Sequence, residues 1–200
     1  MTTSMPSPSP RTKPAEVRLD ELMNAAETLF LENGFDATTI AHITRAANVA
    51  KGTFYHYFAS KNDILAALTA RYTQQYVDQL ETAVNACAEH DWPTRLRVWI
   101  ETSVLTYAQS FRTHDMVYGG HHHHERDNAE KNAILTQLEH ILQQGAQDKA
   151  WYCPNPAIVA LLLYSGVHGA TDALIAEPEQ DHQRYARELA DTCLRLLPLP

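Results

Sequence analysis

The sequence predicts an all-α fold. No stretch shows sustained period-two alternation, and each long segment repeats its apolar residues at three- and four-residue spacing. That pattern is interrupted at Gly34, at Asn48, at Asp91-Trp92-Pro93 and at the WYCPNP stretch from Trp151 to Pro156, which are turn and cap residues.

Residues 1–14 (MTTSMPSPSPRTKP) are rich in Ser, Thr and Pro and read as a disordered, solvated arm. From Glu16, the residues Leu19, Leu22, Met23, Ala26, Leu29 and Phe30 describe a first helix, which Gly34 ends as a left-handed cap would. Thr38 and Thr39 are N-cap residues for a second helix with Ile40, Ile43 and Ala47 inward. Asn48 suits the positive-φ position of a turn. A third helix starts near Ala50 or Lys51 and is short, because Phe58-Ala59-Ser60 ends it. Ser60 followed by Asp63 resembles a capping box for a fourth helix carrying Ile64, Leu65, Leu68, Tyr72, Tyr76 and Leu80. A fifth begins at Pro93 or Thr94 and runs through Leu96, Trp99, Ile100, Val104, Tyr107 and Phe111. Irregular chain is expected from His114 to Asn128, and then a helix bearing Ile134, Leu135, Leu138, Ile141 and Leu142. Pro156 opens a very apolar helix ending near Ile175, and a last helix lies between about Asp181 and Leu197.

Composition narrows the class. Hydrophobic residues make up 44% and charged residues 20%, a globular balance. The three cysteines, Cys87, Cys153 and Cys193, are odd in number and widely spaced, which fits a reduced cytoplasmic chain better than a disulfide framework. No secretory signal is expected, and the longest apolar run, Ala157 to Tyr164, falls short of a membrane span. The net charge is −8, yet residues 1–61 hold six basic and six acidic side chains. The amino-terminal part is therefore the end least repulsive to a polyanion.

Two short helices around a tight turn form a helix-turn-helix unit, whose second helix enters the major groove of DNA. Phe54 and Phe58 are four apart and share a core face, leaving Lys51, Gly52, Thr53, Tyr55 and His56 to point elsewhere. Those groups suit phosphate oxygens and base edges. Lys61 begins the fourth helix and Thr39 the second, where backbone N–H groups and the helix dipole favour an anion.

The run LFLENGFDATTIAHITRAANVAKGTFYHYFASKNDIL, Leu29 to Leu65, resembles the TetR/AcrR family of bacterial transcriptional repressors. The shared features are a helix ending in Gly-Phe, a Thr-Thr start, an Ile-x-x-Ala-Ala segment and Lys-Gly-Thr-Phe-Tyr-x-x-Phe-x-x-Lys. Asn48, Ala50 and Tyr57 depart from the usual Gly, Ser and His. The resemblance implies an all-helical homodimer with a helix-turn-helix domain at residues 15–61 and a ligand-binding and dimerisation domain at 62–200. By matching positions it implies a DNA surface of Lys51, Gly52, Thr53, Tyr55, His56, Tyr57 and Lys61, supported by Thr39 and Arg45. Tyr55 and Lys61 are the expected phosphate anchors, and Thr53 and His56 the expected base readers. The implied partners are a double-stranded DNA operator, a small-molecule effector and a second copy of the chain, with no cofactor and no enzymatic activity.

In the carboxy-terminal half, Gly166, Gly169 and Ala170 would allow close helix approach. With Leu161, Leu162, Leu163 and Val167, and with Leu189, Cys193, Leu196 and Leu197 on the last helix, they outline either a four-helix dimer seam or ordinary core. Trp99, Tyr107 and Phe111 form an aromatic stripe that lines an effector cavity or fills the core. His121, His123 and His168 are candidate polar groups of that cavity. The run from His121 to His124 also allows an alternative, a Zn-, Ni- or Cu-responsive regulator of the same fold, against an adventitious His-rich loop.

Overall fold

A computed structural model describes residues 14–119 and 129–199. Among the described residues it contains eight helices and no strand: α1 (Ala15–Asn33), α2 (Ile40–Ala46), α3 (Lys51–Tyr57), α4 (Lys61–Asn85), α5 (Trp92–Tyr118), α6 (Ala129–Gln147), α7 (Pro156–Ile175) and α8 (His182–Arg195). The chain divides into two compact units, with the boundary inside α4 between Leu68 and Thr69. The arm expected at 1–14 lies outside the described residues except for Pro14, which is the N-cap of α1.

In the first unit, local chemistry sets each helix end. Gly34 has φ 83° and ψ 157°. This is not the left-handed helical cap expected, but the mirror of extended backbone, a region open to essentially glycine alone. Thr38 is buried rather than capping: its hydroxyl donates to the carbonyls of Gly34 (2.8 Å) and Leu29 (3.2 Å). Thr39 is the cap of α2. Its Oγ1 accepts from the His42 N–H at 3.2 Å, while the Thr39 N–H donates to His42 Nδ1 at 3.4 Å, so a histidine closes the capping box. Asn48, at φ 53°, ends α2 in a Schellman motif. Its N–H donates to the Arg45 carbonyl at 3.1 Å, and the Val49 N–H to that of Thr44 at 2.9 Å. Asp63 accepts from the backbone N–H groups of Ala59 (2.9 Å) and Ser60 (3.0 Å), which starts α4 as the spacing implied. Leu22, Ala26, Ile43, Phe54 and Ile64 are wholly buried and make this unit's core.

The second unit is a bundle in which α5 packs against α6, α7 and α8. Its core holds Leu80, Leu96, Trp99, Ile100, Leu138, Leu142 and Leu174, with no exposed area. Helix α5 continues to Tyr118, seven residues past Phe111, so the irregular chain expected from His114 is helical as far as the described residues go. Burial explains this: Val117 and Tyr118 sit in the interior and extend the inward face set by Tyr107. At the end of α6, a Cβ on Gly145 would lie 2.1 Å from the Trp151 ring, whose indole N–H donates to the Leu142 carbonyl at 2.9 Å.

Helix α7 separates the two readings of its apolar stripe. Ala160, Leu163, Val167, Thr171 and Leu174 are buried within the chain, whereas Ile158, Leu161, Leu162, Gly166 and Gly169 are exposed. On and after α8, Cys193 and Leu197 are core, while Leu196 is 69% exposed. By length and composition alone the 20 residues of α7 are apolar enough to cross a membrane, a test that an apolar core helix also passes.

Two outcomes follow from this packing. Gly145→Ala forces the Trp151 ring to move and lowers stability by about 1–3 kcal/mol in urea denaturation. Asp148 accepts from the Trp92 indole at 2.6 Å and pairs with His90 Nδ1 at 2.9 Å; the Trp92 hydrogen bond first, then His90, holds its carboxyl below the ordinary value. A depressed carboxyl contributes stability above its unfolded pKa and loses it as pH falls through the folded one. Asp148→Asn therefore destabilises at neutral pH, and the gap from wild type narrows below about pH 4 in melts run across pH.

Candidate nucleic-acid interface

Helix α3 is seven residues long, too short to hold itself by backbone bonds alone. Phe54 anchors it, wholly buried, with Phe58 directly after the helix at a ring separation of 5.7 Å. Each such ring removed from water contributes about 1.5–3 kcal/mol. The other side of α3 is open. Lys51, Gly52, Tyr55 and His56 are exposed, Thr53 is half-buried, and a Cβ at Gly52 would meet nothing within 4 Å. Tyr55 is 51% exposed, stands edge-on to Phe54 and has the Lys51 ammonium 5.9 Å from its ring centre. Thr39 and Arg45 are exposed at the two ends of α2.

Two expected DNA contacts are already engaged elsewhere. The Lys61 ammonium donates to the carbonyls of Phe35, Thr38 (2.9 Å) and Asp36 (3.4 Å) and lies 4.1 Å from the Phe35 ring centre. A lysine has three N–H donors, so this geometry makes Lys61 a clasp for the α1–α2 connection. The Tyr57 hydroxyl donates to the Ala15 carbonyl at 2.9 Å, tying the end of α3 to the start of α1. Conversely, His42 was missed. Its Nδ1 accepts from the Thr39 N–H, and the side chain is exposed at the start of α2. The only sequence signal was its position three residues after the N-cap, normally a Glu or Gln position.

In the second unit the candidate effector residues fare differently. Trp99 is wholly buried in the core and its indole N–H donates to Gln137 Oε1 at 2.9 Å. Phe111 is half-buried, and His121 and His123 lie outside the described residues. Tyr107 and His168 do come together. The Tyr107 hydroxyl donates to Asp172 Oδ1 at 2.5 Å, and His168 Nδ1 lies 3.2 Å from Asp172 Oδ2. Burial first, then the Asp172 hydrogen bond, raises the Tyr107 phenol far above its ordinary pKa. Around them stand His114, 4.4 Å from the Tyr107 ring centre, and Tyr118, 4.9 Å from that of His114. Tyr72 donates to or accepts from Ser110 at 2.9 Å, and Tyr76 does so with Ser103 at 2.6 Å. Because the sequence reading ends α5 before His114, it does not place His114 and Tyr118 on this inward face. Their spacing from Tyr107, seven and eleven residues, is the signal that would have found them. Among the described residues, no group of three or more His, Cys, Asp or Glu side chains is arranged to hold a metal.

A short helix seated by aromatic residues, with an open polar side and a Schellman turn before it, defines a helix-turn-helix DNA-binding domain. Residues 22–68 match the family described as bacterial regulatory proteins, tetR family. Among curated proteins it is 30% identical over 88 residues to the uncharacterized HTH-type transcriptional regulator YvdT of Bacillus subtilis, an alignment covering 44% of each chain. The chain spans less than half the length of the curated relatives it matches. Among solved structures, its fold is similar to that of the SmeT–triclosan complex (TM-score 0.70, 23% identity, covering 91% of this chain and 92% of that one). It is similar also to FadR of Bacillus subtilis in complex with stearoyl-CoA (TM-score 0.69, 18% identity, covering 88% of this chain and 97% of that one). These likenesses extend over both units and establish the all-helical fold.

The clasp has a direct consequence. Lys61→Met removes the shared donor of three carbonyls of the α1–α2 connection, of which only that of Phe35 keeps the Thr38 N–H, and lowers stability by about 1–3 kcal/mol. Under conditions where the variant remains folded, the salt slope of DNA binding stays that of the wild type; a slope reduced by about one unit would instead restore the phosphate role.

Proposed function

We propose that this protein is a homodimeric transcriptional repressor in the cytoplasm that binds a pseudo-palindromic DNA operator and is released by a small organic effector. The observation that carries the reading is the exposed polar side of α3, held out by two buried phenylalanines. Lys51 and Tyr55 serve phosphate oxygens, with Thr39, Arg45 and the newly recognised His42 beside them. Thr53 and His56 meet base edges, and Gly52 lets the backbone approach closely.

A second copy supplies the matching half. The exposed apolar side of α7, with room above Gly166 and Gly169, and the exposed Leu196 form the dimer seam. Two recognition helices then read successive major grooves, roughly 34–36 Å apart. The effector binds in the second unit against Tyr107, Phe111 and His168. It releases DNA to the extent that it prefers a dimer whose recognition helices are spaced differently. Helix α4, which belongs to both units in sequence, is the natural lever.

Fluorescence anisotropy on DNA from upstream of the protein's own gene tests this. Lys51→Ala weakens binding to all sequences alike and lowers the salt slope by about 0.9. His56→Ala costs about 1–3 kcal/mol at one base position and relaxes discrimination there. Retention of full affinity, slope and discrimination by both variants would overturn the assignment.

A further inference from the structure

The polar cluster of the second unit holds a feature that effector binding does not require. His114 on α5 and His168 on α7 face each other through their Nε2 atoms, 3.4 Å apart. Each ring is oriented from behind by a carboxylate on its Nδ1: Asp115 Oδ1 at 3.2 Å from His114 and Asp172 Oδ2 at 3.2 Å from His168. A carboxylate accepts a proton at Nδ1 and so leaves the Nε2 lone pair as the ligating one, the arrangement by which proteins aim imidazoles at metals. Asp172 is itself fixed, because it also accepts from Tyr107 at 2.5 Å.

The separation decides between two uses of the pair. At 3.4 Å the two nitrogens stand at the long end of hydrogen-bonding distance. Two Zn–N bonds of about 2.0–2.1 Å at a tetrahedral angle place their nitrogens about 3.3–3.4 Å apart. The observed gap matches the edge that two ligands of a tetrahedral Zn²⁺ would span. Charge agrees. Asp115 and Asp172 offset a divalent ion, and the phenols beside the pair are Tyr72 on α4, Tyr107 and Tyr118 on α5 and Tyr164 on α7, with the Lys131 ammonium 5.7 Å from the Tyr164 ring centre. The His114 and His168 side chains are 12% and 29% exposed, so an ion has a way in.

We infer that His114 and His168 form a two-imidazole site for a divalent transition metal of the Zn²⁺ type. Because no third His, Cys, Asp or Glu ligand converges among the described residues, the remaining positions go to water or to an exogenous donor. The inference concerns the cluster in which the effector is placed but does not rest on that reading, since metal binding is measured without DNA or effector.

The run from His121 to His124 would bind metal on its own, so the test uses the full chain with all four replaced (His121→Ser, His122→Ser, His123→Ser, His124→Ser). Zn²⁺ alone is titrated by calorimetry, and Co²⁺ alone by its visible absorption. The expected result is saturable binding of about one ion per chain, with the intense absorption of tetrahedral Co²⁺. His168→Gln in that background abolishes the absorption. Asp172→Asn keeps both ligands and weakens binding by about 10- to 100-fold. Circular dichroism verifies that each variant is folded, and Asp172→Asn decides should His168→Gln unfold. No saturable binding by the run-free chain, or equal binding by it and its folded variants, would overturn the site. So would a melting temperature that responds to pH but not to Zn²⁺, which would make the pair a shared-proton pair.

Discussion

The Lys61 ammonium is the contact on which the first unit depends. The connection between α1 and α2 turns sharply at Gly34 and leaves the carbonyls of Phe35, Asp36 and Thr38 outside any helix, where each needs a donor. One side chain from the first position of α4 supplies all three. Thr38 adds its own hydroxyl to the carbonyls of Leu29 and Gly34, so the connection is held from two sides. With it fixed, Thr39 starts α2 in a defined direction and the Schellman turn at Asn48 passes that direction to α3. The polar side of a seven-residue helix is thus positioned by a lysine that need not touch the ligand.

The two units treat polar groups in opposite ways. In the first, hydroxyl, imidazole and ammonium groups on α2 and α3 stand in solvent above an apolar core, where binding can use them. In the second, phenols and hydroxyls are drawn inside and pair with one another. Tyr72 meets Ser110, Tyr76 meets Ser103, Thr73 meets Tyr118, and Tyr107 meets Asp172. Burial raises the phenols of Tyr72, Tyr76 and Tyr107, and so keeps them neutral. Such an interior is costly unless every group has a partner, and it offers a ligand many hydrogen-bonding atoms in a low-dielectric setting.

What could be read in the sequence was local. Asn48, the Ser60–Asp63 cap and Pro156 act within four or five residues, and each helix boundary they imply is present in the structure to within a residue or two. The clasp made by Lys61 was not legible because its partner, Phe35, is 26 residues away, and a lysine at a helix start looks the same whether it faces solvent or a carbonyl. For Trp99 the sequence leaves two readings open, because an aromatic stripe at helical spacing is identical for core and cavity; its burial and Gln137 opposite its indole are visible only in the structure. The end of α5 was lost in a run of His, Asp and Gly that reads as loop, although Val117 and Tyr118 continue the buried face. On α7 the stripe was legible, but not that Leu163 and Val167 turn inward while Leu161, Leu162 and Gly166 turn out.

The central claim is that α3 meets a duplex as one of two symmetric copies. Hydroxyl-radical footprinting on DNA from upstream of the protein's own gene measures this most directly. The account predicts two protected patches of equal strength, centred about 10–10.5 base pairs or a multiple of that apart and related by sequence inversion. A single patch, or protection that spreads without register along the fragment, would contradict it.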